Sequence, residues 1–253
     1  MFMKMSIGMF MVLAAFFSGT GSAGAATELL VSAAASLTDA FKDIGKAYEV
    51  KHPGVTVRFN FAATGPLLQQ IEQGAPVDVF ASADQQSMDK AEKGGFVLPG
   101  SRVDFTGNSL MLISPVGRTE VNGLAELSSP QVLKISIGNP ESVPVGRYAK
   151  ASLEKEGLWE SLTPKFIMGS SVKQVLEYIM RGEVEAGFVY GTDAMIAKNK
   201  IRVVTEIPTV KPIDYPVAVV AASAQKEQAQ TFIEYLKSAE GQDILVTYGF
   251  KKQ

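Results

Sequence analysis

The chain has 253 residues, 24 basic and 26 acidic side chains, one histidine and no cysteine, for a formal charge of −2. Disulfides and thiolate chemistry are thereby excluded, and a zinc centre or a Ser-His-Asp triad has almost nothing to build on. No basic stripe interleaved with aromatics runs along it, which argues against nucleic acid as a partner.

In chain order, Lys4 precedes an apolar run, Ile7 to Phe17, and Ala23-Gly24-Ala25 follows as a small-x-small cleavage pattern. The run is shorter than the ~20 residues a spanning helix needs. Residues 1–25 are therefore expected to be a secretory signal peptide, which places a soluble protein in a bacterial periplasm. A retained anchor is the alternative; a lipid-modified cysteine is ruled out. The mature chain of about 228 residues, with a charge of about −3 once Lys4 is gone, suits one large or two modest domains. It carries no linker, repeat or low-complexity block, so two domains would be wound through each other.

Apolar runs rich in β-branched residues predict strands at Glu28–Ala33, Val55–Phe61, Val77–Ser82, Ser109–Ser114, Leu133–Gly138, Pro164–Met168, Ala186–Tyr190, Ile201–Thr205 and Pro216–Ala222. Helical spacing relates Leu37, Ala40, Phe41, Ile44 and Tyr48, then Val172, Val175, Leu176 and Ile179, and lastly Phe232, Ile233 and Leu236. This alternation implies α/β layers over a mostly parallel sheet, in which ligands sit at the carboxyl ends of strands. At those corners Ser36 is expected to cap a helix with Asp39 in the capping-box position, and Thr64 to cap the next. Ser170 or Ser171, with Gln174, should cap a third, and a fourth should begin near Pro144 to Gly146.

Catalytic constellations are sparse. His52 sits in a Pro-Gly turn and reads as a solvated turn residue, and no G-x-S-x-G elbow is present. Asp78 and Asp84 in "VDVFASADQ" form the one carboxylate pair to weigh as general acid and base; structural capping is the commoner role for such residues. Helix starts offer more. Each carries unpaired N–H groups and roughly half a positive charge, so several converging ends could hold a small dianion without any Lys or Arg. Periodicity cannot show whether they converge.

The string "SAAASLTDAFKDI" resembles the N-terminal motif of the periplasmic molybdate-binding proteins that serve ABC transporters. The likeness continues through "QQIEQGAPVDVFASADQQSMDKA", "GNSLMLISP", "IGNPESVPVGRYAKASLEKEGLW", "GFVYGTDA" and "YPVAVV" to "FIEYLKSAEGQDILVTYGF". It implies a type II periplasmic binding protein: two α/β lobes joined by two crossover strands, lobe 1 over residues 27–106 plus 216–253 and lobe 2 over 107–215. It also implies a monomer without cofactor or enzymatic activity, which captures molybdate and tungstate in the interlobe cleft and hands them to an inner-membrane permease. Carried over residue by residue, the oxyanion pocket falls on Ser36 and Thr64 (hydroxyl and N–H), Val145 and Val172 (backbone N–H) and Tyr190 (phenol). Molybdenum would be held only as its oxyanion. Thr64 stands where relatives commonly have Ser. Arg147 stands where some are apolar, and reads either as charge near the anion or as a solvated first-turn side chain. Another tetrahedral oxyanion such as sulfate, or a secreted α/β hydrolase using Asp78 or Asp84, are the competing functions.

Overall fold

The structure is a computed structural model and describes residues 27–117 and 121–252; the expected signal peptide lies outside the described residues. The first of two five-stranded sheets holds β1 (Thr27–Ala34), β2 (Val55–Ala62), β3 (Val79–Ala81), β4 (Val103–Asn108) and β10 (Ile213–Val219), in the order β2-β1-β3-β10-β4. The second holds β5 (Leu110–Pro115), β6 (Ile135–Gly138), β7 (Phe166–Gly169), β8 (Ala186–Tyr190) and β9 (Ile201–Ile207), in the order β7-β6-β8-β5-β9. Three neighbouring strands in each sheet run parallel, and the fourth place is taken by a reversed strand, β10 or β5. The reversed strand is the one the chain has just fed in from the other sheet. Ser109 alone separates β4 from β5, and residues 208–212 separate β9 from β10. This is the two-lobed type II architecture with the chain crossing twice.

Helices cover both sheets: α1 (Thr38–Lys51), α2 (Thr64–Glu72), α3 (Gln85–Lys93), α4 (Pro144–Lys155), α5 (Trp159–Leu162), α6 (Val172–Met180), α7 (Gly191–Ile196), α8 (Lys226–Lys237) and α9 (Ala239–Thr247). The helical spacing read from the sequence is the buried stripe of α1, where Phe41 packs its ring 5.8 Å from Phe105 and 6.2 Å from Phe232. His52 is not a solvated turn residue. Its ring stacks on Tyr48 at 3.9 Å and its Nδ1 lies 3.0 Å from the Tyr48 carbonyl, closing the end of α1.

Several strands differ from their expected bounds for identifiable reasons. Pro164 falls in a 3-10 turn, Thr163–Lys165, before β7, since proline has no N–H to give a ladder. Pro216 sits inside β10 at a register shift, where a missing donor costs least. β4 was not expected at all. It ends in Gly107-Asn108, residues poor in strand propensity, and its pairing with β10 and with Lys251 holds it extended.

Gly146 brings the start of α4 onto the end of β6: a Cβ there would lie 1.9 Å from the Gly138 carbonyl oxygen. Backbone cannot give way as a side chain can. Gly146→Ala is expected to destabilise the protein by about 2 kcal/mol or more, read as a lower urea midpoint; an unchanged midpoint would mean that α4 is free to shift away from β6.

Candidate functional site: a closed pocket at six strand ends

The carboxyl ends of β1, β2 and β3 in one sheet face those of β6, β7 and β8 in the other, and the turns that follow them enclose a small cavity of about 10 Å³. Ala34, Ala35 and Ser36 line it after β1, Ala63 and Thr64 after β2, and Ala83 after β3. The other half supplies Val143 to Val145 after β6, Val172 after β7 and Tyr190 at the end of β8. Ser36, Thr64, Val145, Val172 and Tyr190, drawn from separate parts of the sequence, thus border one space. Among the described residues no charged side chain lines it. The alanines ending β1 and β2 keep side chains out of the way, so the cavity wall there is largely backbone.

Three hydroxyls meet the wall, two of them held by a neighbour and one of them not. Thr64 Oγ1 accepts the Ala83 N–H at 3.2 Å, leaving its own proton free. Ser36 Oγ lies 2.9 Å from the Tyr215 hydroxyl. The Tyr190 hydroxyl is buried and has no hydrogen-bond partner among the described residues. Burial holds that phenol well above its ordinary pKa, so it stays a donor. Val172 opens α6 and Val145 is the second residue of α4; at those positions a backbone N–H has no acceptor within its own helix.

The helix starts differ from the sequence expectation in an instructive way. Ser36 is not an N-cap: it lies inside a 3-10 turn, Ala35–Leu37, whose first turn has no side-chain cap. Asp39 makes no capping box and instead reaches Lys173 Nζ at 3.0 Å. Thr64 is the first residue of α2, with Ala63 in the capping position. Had these hydroxyls capped their own helices they would be spent; turned away, they face the cavity. Ser171 does cap α6, accepting from Gln174 N–H at 3.3 Å, while Gln174 Oε1 accepts from the Ser170 N–H at 2.6 Å.

Charge is placed around the mouth. Arg147 is neither at the cavity nor solvated. Its Nε donates to Asp84 Oδ2 at 2.6 Å and its Nη2 to Ser87 Oγ at 3.0 Å, bridging α4 to the start of α3 across the two sheets. Asp84 also caps α3 through Ser87 N–H at 3.0 Å, and Asp78 accepts from Leu30 N–H at 2.8 Å and from Ser223 Oγ at 2.6 Å. Both carboxylates are consumed structurally. On the other flank Lys173 joins Asp39 and lies 3.3 Å from Asp193 Oδ1. Burial would lower the Lys173 pKa, but Asp193 and then Asp39 outweigh it and raise it. Between the flanks, Gly65 N–H donates to Ser142 O at 3.0 Å, an approach only glycine allows because a Cβ would meet that oxygen at 2.6 Å. Sequence reasoning missed Lys173, Asp193, Asn108 and Tyr215. Tyr215 alone left a trace, in the inward register of Tyr215, Val217 and Val219 along β10.

Two lobes, a chain that crosses twice, and a buried donor-lined pocket between them define a solute-binding protein rather than an enzyme. The chain matches the family described as bacterial extracellular solute-binding protein over residues 29–251, and it belongs to that family. It is 36% identical over 230 residues to the molybdate-binding protein ModA of Escherichia coli, with 88% of each chain covered. It is 34% identical over 245 residues to ModA of Haemophilus influenzae, covering 94% of this chain and 95% of that one. The Azotobacter vinelandii periplasmic molybdate-binding protein superposes with a TM-score of 0.79 at 28% identity, covering 89% of this chain and 99% of that one. Among the described residues no helix is long and apolar enough to cross a membrane.

Asp193, wholly buried, has its pKa raised to about 6, chiefly by burial, with Lys173 opposing. The native state therefore keeps a proton that the unfolded chain releases near pH 4. The stabilisation from this group is complete below pH ~4, declines as pH rises and is gone above about 6. Urea midpoints of the wild type and Asp193→Asn, measured from pH 4 to 7, should differ in slope, the wild type losing ground as pH rises. Parallel curves would mean that Asp193 stays ionised throughout.

Proposed function

We propose that this protein captures molybdate, and tungstate with little discrimination, in the pocket between its lobes and delivers the ion to the permease of an ABC importer. Ser36 and Thr64 would give hydroxyl and backbone protons, Val145 and Val172 backbone protons, and Tyr190 its phenol proton. The observation that carries the reading is the Tyr190 hydroxyl, buried without a partner at a cavity that no charged side chain lines. Leaving such a donor unmet costs about 1–3 kcal/mol, and a dianion supplies what it lacks. The molybdate-binding proteins of similar sequence support the choice of ion.

The lobes are taken as residues 27–106 with 216–253 and residues 107–215. The ion is cargo rather than cofactor, the protein acts as a monomer, and export through the segment 1–25 puts it in the periplasm. Closure follows binding because neither lobe has the full donor set, so ligand favours the arrangement that brings both together. Sulfate has the same charge and fewer ångströms across, so the fit of the pocket must tell it from molybdate. A monohydrogen oxyanion brings a proton for which this wall, with no carboxylate in it, offers only hydroxyl oxygens.

Isothermal titration of the mature protein should show binding of molybdate and tungstate and much weaker binding of sulfate. Molybdate at 100 times its Kd should stabilise the fold by about 2.7 kcal/mol. Tyr190→Phe and Ser36→Ala should each weaken molybdate about 10- to 100-fold, the worth of one hydrogen bond to a charged group. Equal affinity for sulfate and molybdate would reassign the ligand; unchanged affinity in both variants would move the site elsewhere.

A further inference from the structure

Behind Ser36 lies a buried polar chain that the pocket itself does not use. The Tyr215 hydroxyl, 2.9 Å from Ser36 Oγ, is also 3.2 Å from Asn108 Nδ2. The Asn108 amide is fixed at both ends: its Oδ1 accepts the Ser109 N–H at 2.9 Å, and its Nδ2 also donates to Thr192 Oγ1 at 3.0 Å. Asn108, Thr192 and Tyr215 are all buried, and none of them borders the cavity. The chain sits where the lobes join, Asn108 ending β4 and Tyr215 lying on β10.

Its polarity can be read from one end. An amide nitrogen has only protons to offer, so Asn108 donates and the phenol oxygen accepts. The phenol proton then has Ser36 Oγ as its acceptor. Ser36 Oγ, receiving from Tyr215, keeps its own proton for the cavity. Thr64 is set the same way by the Ala83 N–H.

We propose that Asn108 and Tyr215 are specificity-determining positioning residues, which hold Ser36 as a proton donor and so exclude oxyanions that carry a proton. The proposal rests on the anion-binding reading above and adds what sets its preference for fully ionised ligands. A monohydrogen phosphate or arsenate must place its O–H against an acceptor. With Ser36 and Thr64 both turned donor-outward, the one wall hydroxyl whose oxygen accepts nothing is that of Tyr190, and the anion claims its proton as well. Removing the Tyr215 hydroxyl frees Ser36 to rotate and accept.

The test is titration of wild type, Tyr215→Phe and Tyr190→Phe with molybdate, sulfate and phosphate, at a pH where phosphate is the monohydrogen dianion, weak binders being read by competition. Tyr215→Phe should lower molybdate affinity about tenfold and narrow the molybdate-over-phosphate ratio at least tenfold. Its molybdate-over-sulfate ratio should not move, since both ions are fully ionised. Tyr190→Phe should weaken molybdate without that narrowing. A Tyr215→Phe protein that loses all three ions equally, or whose sulfate ratio shifts as much as its phosphate ratio, has suffered a change of shape, and the proposal falls. Unchanged preference in Tyr215→Phe overturns it as well. If that variant does not fold, Asn108→Ala carries the same expectation, because the phenol can then accept from Ser36 and draw its proton out of the cavity. A wild type that binds no molybdate removes the anion-binding reading and this proposal with it; a wild type that binds molybdate while Tyr215→Phe keeps full discrimination removes this proposal alone.

Discussion

The constraint on which the structure depends is a buried wall of protons with no acceptor. Thr64, Tyr190 and the first amides of α4 and α6 meet at one cavity from which water is almost excluded. Each unmet donor is a standing cost, and together they favour negative charge at the cavity. A buried lysine or arginine would hold an anion more tightly, yet it would be an unpaired charge whenever the site was empty. Neutral donors avoid that penalty. On the proposed reading they meet water when the lobes part and need a ligand when the lobes close.

Formal charge is used for a different task. Arg147 with Asp84, and Lys173 with Asp39, sit on either side of the mouth and cross from one lobe to the other. Exposed ion pairs contribute little, but Arg147 and Asp84 are largely shielded, Lys173 and Asp39 are half-buried, and Arg147 adds a hydrogen bond to Ser87. Lys173 follows Val172 directly, so the pairing that closes one flank also seats the Val172 amide at the cavity. Holding the ligand and holding the lobes together are thus divided between dipoles inside and charges outside.

How much of this could be read from sequence depends on whether local or distant chemistry decides. Nine strands and the helices over Thr38–Lys51, Val172–Met180 and Lys226–Lys237 follow from periodicity, because their buried faces are set by residues a few positions apart. β4 escaped, because its Gly107-Asn108 end is poor in strand propensity and its partners, β10 and Lys251, lie more than 100 positions away. The capping roles of Ser36 and Thr64 were misjudged for a related reason. A hydroxyl at a helix start has a local partner in its own helix, and it takes a distant one only if the fold presents it, as Tyr215 and the Ala83 amide do here. Arg147 fails the same way: nothing near it in sequence announces Asp84, 63 positions away. The five pocket residues came from family resemblance, since no spacing rule brings Ser36 and Tyr190 to one point.

The matching layout of the two sheets explains why such a pocket can be shared at all. In each sheet three parallel strands point their carboxyl ends the same way, and the reversed fourth strand returns the chain to the other lobe. Facing the two triplets brings six turns together from two independent cores. On the proposed reading one lobe gives two of the five donor residues and the other gives three. A half-set in an open cleft competes with water for the anion and gains little, because water solvates it equally well. Only the closed pair replaces that hydration, so affinity and closure become one quantity, and any substitution that holds the lobes apart weakens binding without touching the ligand.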